Sequence, residues 1–166
     1  MFLTEREIDT QKVDVIAHTH CPFASRSTII ESSIQINKFS NESHFEEIRN
    51  EFKELIRSSE FQEIDGFKVD IDVNLQSLAD LSKILQKLLF TINPSIKSEN
   101  ILKEGWRFTF AGSPFFIVVM SSIYPEKHCR NIPQSSTILF QPEHSFHRFI
   151  PRERRKEIAT SIRKVF

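Results

Sequence analysis

Two short groups in this sequence combine side chains that can bind a metal or attack an electrophile. His18-Thr19-His20-Cys21 places two imidazoles and a thiol within four residues, donor types that suit zinc, copper or heme iron. His128-Cys129-Arg130 adds another imidazole and thiol beside a guanidinium that can pair with a carboxylate. An imidazole in that position can serve as an axial iron ligand, or it can simply belong to a solvated loop. The first group is weaker as a metal site, because zinc sites normally show a second paired cluster and no Cys-x-x-Cys occurs. Its plainer reading is a small buried thiol with two surface imidazoles. If Pro22 opens a helix, Cys21 sits at the N-terminus, where a thiol ionises more readily and becomes a candidate nucleophile. His144 and His147 share a face if their segment is helical, with Phe146 and Phe149 taking the buried positions and the imidazoles turned to water. Asp70 and Asp72 could share a cation, although a solvated strand face is the plainer explanation. His44 begins a surface helix and receives no role.

The elements that must position these groups are readable from periodicity. Val13-Asp14-Val15-Ile16-Ala17 suggests a short strand, and Pro22 suits the first turn of a helix running to about Ser33. Ser43 and Glu46 read as a capping box. Behind them Phe45, Ile48, Phe52, Leu55 and Ile56 predict an amphipathic helix over 44–58. Strict alternation from Phe67 to Val73 predicts a strand with one wet face. Leu75, Leu78, Leu81, Ile84, Leu85, Leu88 and Leu89, with Asn74 as a cap, predict a second amphipathic helix that Pro94 stops. Trp106 to Phe110, a turn at Gly112-Ser113-Pro114, and the apolar run Phe115 to Met120 read as an antiparallel hairpin. Ser136 to Phe140 adds a strand, and Pro151 opens a C-terminal helix burying Ile158, Ile162 and Val165 or Phe166. The order is mixed rather than regularly alternating. The expected fold class is α+β, one domain over residues 1–166, with a mostly antiparallel sheet and amphipathic helices packed on it.

Composition narrows the function classes. The 22 acidic and 22 basic residues cancel, which argues against an obligate polyanion binder, so no nucleic-acid partner is expected. Only the tail departs from neutrality. Arg148, Arg152, Arg154, Arg155, Lys156, Arg163 and Lys164 against Glu153 and Glu157 leave the last nineteen residues at +5, so a basic interaction helix remains a minor alternative. Two cysteines and an N-terminus without the basic-then-apolar order of a leader predict a cytoplasmic location, and no apolar run reaches membrane-spanning length. Three glycines and the absence of Gly-x-Gly-x-x-Gly, Walker and Gly-x-Ser-x-Gly patterns remove nucleotide-dependent and serine-hydrolase readings. Sixteen Phe against one Tyr and one Trp suit either a large apolar cavity or an ordinary Phe-rich core.

Four blocks in order carry a resemblance: Cys21-Pro22-Phe23-Ala24, Gly112-x-Pro114-Phe115-Phe116-Ile117-Val118-Val119, Pro125-x-x-His128-x-Arg130-Asn131, and Leu139-Phe140-Gln141-Pro142-x-x-x-Phe146. Together they resemble the YqcI/YcgG family over about residues 20–150. The resemblance implies a small α+β protein that binds heme, and a heme- and O2-dependent monooxygenase that N-hydroxylates a guanidine- or amine-bearing small molecule with electrons from a separate donor. Carried over by position, it implies His128 as the first choice of iron ligand, Cys21 as the alternative ligand or a pocket residue, and Arg130 as a partner for a heme carboxylate. Phe116 and Phe140, with Phe115, Phe146 and Trp106, would wall the pocket. A heme or metal carrier or sensor without turnover is the other reading these residues allow.

Overall fold

The computed structural model describes residues 24–158 and 160. Its strands are β1 (Ile29–Glu31), β2 (Ile36–Asn37), β3 (Gly66–Asp72), β4 (Phe108–Phe110), β5 (Ser113–Ser121) and β6 (Ser136–Pro142). The helices are α1 (Glu42–Arg57), α2 (Leu78–Ile92), α3 (Ser98–Ile101) and α4 (Glu143–Phe149), with one-turn 3-10 segments at Ala24–Arg26, Phe61–Glu63 and Arg152–Arg154. One sheet runs in the order β1-β3-β6-β5-β4, with β2 also on β3. The β3–β6, β6–β5 and β5–β4 pairings are antiparallel, whereas β1 and β2 lie parallel to β3 on its outer edge. The expected α+β class with a mostly antiparallel sheet is the class observed.

Residue alternation puts Phe67, Val69 and Ile71 of β3 on the face that meets α1 and α2, in register with Phe140 and Ile138 of β6. Phe52 of α1 is fully buried at the centre of this layer. Its ring stacks on Phe67 at 4.6 Å and meets Phe115 at 4.9 Å, Phe140 at 5.0 Å and Phe110 at 5.5 Å. Rings so arranged satisfy one another by stacked and tilted contacts, so the phenylalanine-rich composition builds a filled core.

Several local expectations change. The helix anticipated to Ser33 is a single 3-10 turn followed by β1, because Ile29 and Ile30, β-branched at χ1, pair with Gly66 and Phe67. The cap of α1 is Asn41 with His44, not Ser43 with Glu46: Asn41 Oδ1 accepts from the His44 amide and His44 Nδ1 accepts from the Asn41 amide. For α2 the cap is Ser77 with Asp80 rather than Asn74. Backbone N–H of Gln76 and the Ser77 hydroxyl bonded to Asp80 hold its carboxyl below the usual range. The hairpin turns one residue earlier than expected, at Ala111 and Gly112, both at positive φ (48° and 81°).

The largest correction concerns β3. Alternation predicts a wet face, yet Lys68 and Asp70 are each only 9% exposed. They escape an unpaired burial by clustering: Lys68 Nζ lies 3.2 Å from Asp70 and 3.7 Å from Glu31 of β1. Burial pushes the Asp70 carboxyl up, a hydrogen bond with Glu31 adds to the rise, and the Lys68 charge opposes it. Beyond α4, Arg152–Arg154 form a 3-10 turn and residues 155–158 are helical, while Ile162, Val165 and Phe166 lie outside the described residues. So do the strand expected at Val13 to Ala17 and the His18-x-His20-Cys21 group.

Candidate functional site

The β5–β6 ladder separates the residues singled out by sequence. At one end Ser121 pairs with Ser136, and the loop between them carries His128 and Arg130. At the other end Phe115 pairs with Pro142, next to the hairpin turn and α4. Phe116 stands roughly 17 Å of strand away from the His128 loop.

The His128 loop is self-bracing. Asn131 donates its amide to the carbonyls of Tyr124 (2.7 Å) and Ser122 (3.5 Å), the Ser121 amide donates to Arg130 O at 2.9 Å, and fully buried Ile132 anchors the loop against Met120. His128 is exposed and stacks on Tyr124 with ring centroids 4.7 Å apart. Its Nδ1 accepts the Arg130 backbone N–H at 3.1 Å. A backbone N–H can only donate, so the lone pair of Nδ1 is engaged and the neutral ring carries its proton on Nε2. Metal-ligating imidazoles are wired the other way, with the second nitrogen donating to an acceptor. Cys129 Sγ lies 3.9 Å from the same Nδ1, and Arg130 is exposed.

The expected pocket walls are elsewhere. Phe140 is fully buried against Phe52, Phe67 and Phe108, leaving it no free face for a cavity. Phe116 is 56% exposed and meets Phe146 edge-on at 6.0 Å. The described residues around His128 therefore do not seat a porphyrin, and no group of three or more His, Cys, Asp or Glu suited to a metal occurs among the described residues. Cys21 lies outside them.

A concave site forms instead at the α4 end. A cleft of about 290 Å³ is lined by Phe61, Gln62, Ser113, Pro114, Glu143, His144 and His147. Pro142 caps α4 and sends the chain sideways off β6, which brings Glu143, His144 and His147 against the 3-10 turn Phe61–Glu63. Its volume sits at the low end for small-molecule sites and is too small to enclose a macrocycle.

A buried carboxylate holds this end together. Asp65, 3% exposed, accepts the Thr28 amide at 2.8 Å, the Ser145 hydroxyl at 2.8 Å and the Arg148 guanidinium. Arg148 also donates to the carbonyl of Gln62 at 3.2 Å. One residue thus ties the approach to β1, the 3-10 turn and α4.

Within the cleft His144 is fixed on two sides. Its Nε2 lies 3.1 Å from the Ile64 carbonyl, and its ring meets Phe61 edge-on at 4.8 Å. His147 Nδ1 accepts from Arg155, and Glu143 at the rim pairs with Arg107. The expectation that His144 faces water while Phe146 is buried is inverted: His144 is half-buried and Phe146 is 38% exposed. The sequence alone assigned no role to Asp65, Glu143 or Arg107. The available signal was Pro142, a helix opener directly before Glu143-His144.

The basic tail is partly internally matched. Arg148 pairs with Asp65 and Arg154 with Glu157, which lowers the charge available to a polyanion, and Arg155 donates to His147 Nδ1. Among the described residues no helix is long and apolar enough to cross a membrane.

Comparison with known proteins gives one match. The family model described as the YqcI/YcgG family covers residues 36–166. No curated protein and no solved structure matches the chain.

Proposed function

The chain belongs to the YqcI/YcgG family, and on that footing we propose that it acts on a guanidine- or amine-bearing small molecule, taken up in the cleft beside α4, as a cytoplasmic heme- and O2-dependent N-oxygenase. The two halves of this reading have different support. The ordered sequence blocks support the heme half. Heme would supply oxygen activation and would need an outside electron donor. The described residues do not hold it.

The pairing of Glu143 with the Arg107 guanidinium carries the substrate half. A carboxylate at the cleft rim already engages a planar donor-only cation of the type a guanidine ligand presents, with its fork of N–H groups matched to two carboxylate oxygens. Arg107 is 59% exposed, so an incoming guanidinium exchanges with a solvated side chain rather than a buried one. Gln62 and Ser113 supply further polar atoms, and Phe61 and Pro114 supply the apolar wall.

Two measurements test the halves separately. Ferric and dithionite-reduced, CO-treated absorption spectra of protein expressed with added heme are expected to show a Soret band; no stoichiometric heme removes the oxygenase half. Calorimetric titration with methylguanidine is expected to show one saturable site weakened by Glu143→Gln, and no heat of binding removes the substrate half.

A further inference from the structure

Two imidazoles among the described residues, His128 and His144, are wired in opposite senses. His128 accepts a backbone N–H at Nδ1, which leaves Nε2–H, a donor, to face any visitor. His144 meets a backbone carbonyl at Nε2. A carbonyl can only accept, so that nitrogen carries the proton, and the neutral ring keeps its Nδ1 lone pair outside the Ile64 contact. Ile64 and Phe61 together fix this orientation.

We propose that His144, not His128, is the imidazole that meets the ligand, its Nδ1 accepting an N–H from the guanidinium or amine that Glu143 neutralises. This rests on the reading of the cleft as the small-molecule site. The cleft then offers a donor-only cation one charged acceptor, Glu143, and one neutral acceptor, His144. The neighbouring His147 is committed differently, since Arg155 donates to its Nδ1 and leaves a donor at Nε2. That asymmetry selects orientation: the cationic head of the ligand goes toward Glu143 and His144, and any acceptor it carries goes toward His147. It also bears on reactivity. A neutral imidazole accepting a ligand N–H can take that proton, leaving a neutral guanidine or amine nitrogen and an imidazolium.

The test is imidazole 15N–1H correlation spectroscopy on the full chain, free and with methylguanidine, beside calorimetry. The expected free-protein spectrum shows His144 protonated at Nε2 with a pyridine-type Nδ1, and methylguanidine shifts that Nδ1 while leaving His128 unmoved. His144→Ala is expected to weaken methylguanidine about tenfold, the scale of one hydrogen bond to a charged donor. His144→Gln, which keeps both an N–H for Ile64 and an acceptor oxygen, is expected to stay within about threefold of the native chain by the same reasoning. A His144 proton on Nδ1 overturns the proposal, as does methylguanidine binding that spares the His144 resonances; the latter leaves the cleft's substrate class standing. Absence of methylguanidine binding by calorimetry overturns both, and the free-protein spectrum still decides how each ring is wired.

Discussion

The β5–β6 ladder ends in two imidazole-bearing regions that are held in place by different means. At the His128 end the chain braces itself: an amide side chain, Asn131, closes the loop onto its own backbone, and the imidazole lone pair is spent on the next turn of chain. At the His144 end distant segments meet, with a buried carboxylate joining residues 28, 65, 145 and 148. A self-satisfied loop leaves little unmet hydrogen-bonding capacity for a ligand. A junction of separate elements leaves a crevice between them, and the cleft is that crevice.

The comparison breaks most sharply at Asp65. Asp65→Ala leaves the Thr28 amide and the buried Ser145 hydroxyl without their acceptor and removes the Arg148 pair, and is expected to cost about 3 kcal/mol. Thermal unfolding followed by circular dichroism measures this, and a loss below about 1 kcal/mol would show that the α4 end is held by packing alone. At the other end Asn131→Ala removes two side-chain-to-carbonyl bonds and is expected to cost about 1–2 kcal/mol in denaturant unfolding. Its effect on methylguanidine binding is expected to be nil, which separates the two regions functionally. His128→Ala, at an exposed position, is expected to cost under about 1 kcal/mol; a larger loss would make the Tyr124 stack more than surface packing.

A fourth test addresses β3, the other neighbour of β6 in the sheet. Asp70 keeps its proton more tightly when folded than when unfolded, because burial raises its carboxyl and Glu31 assists. Such a group favours the folded state most below the unfolded value, and that contribution fades as pH rises through the folded value. Compared with Asp70→Asn, the native chain is therefore expected to lose stability progressively above about pH 4. Unfolding free energies of the two proteins that run parallel across pH would contradict the assignment.

Much of the fold was legible because its signals are local. The apolar stripes of α1 and α2 and the run from Phe115 to Met120 appear in the sequence at the spacing the elements require. The larger failures share a cause: each was decided by a partner far along the chain. Ile29 and Ile30 become strand through β3, and Lys68 and Asp70 are buried through Glu31. The candidate site suffered most, since Asp65 acts through residues 80 and 83 positions away, a relation no local window contains. The motif blocks did point to the right neighbourhood. Gln141-Pro142 leads straight into α4, but the aromatic at Phe146 drew the attention that Glu143 and His144 warranted.

The outer edge of β3 is covered by two short strands, and the break between them is held open from the helix layer. Glu51 of α1 accepts from the Ser32 hydroxyl at 2.5 Å and from the Ser33 amide and hydroxyl, while Ser32 Oγ in turn accepts the Ile34 amide. On the opposite edge β4 is only three residues long. Among the described residues, then, the β3 border presents no long flat row of free amides and carbonyls on which a second chain could extend the sheet, whereas β4 covers only Ser113–Phe115 of β5 on the other side. A hydrogen-bonded carboxylate in a helix thereby acts against self-association: Glu51→Ala would let residues 29–37 straighten into one continuous border strand, and the consequence to look for is aggregation rather than unfolding.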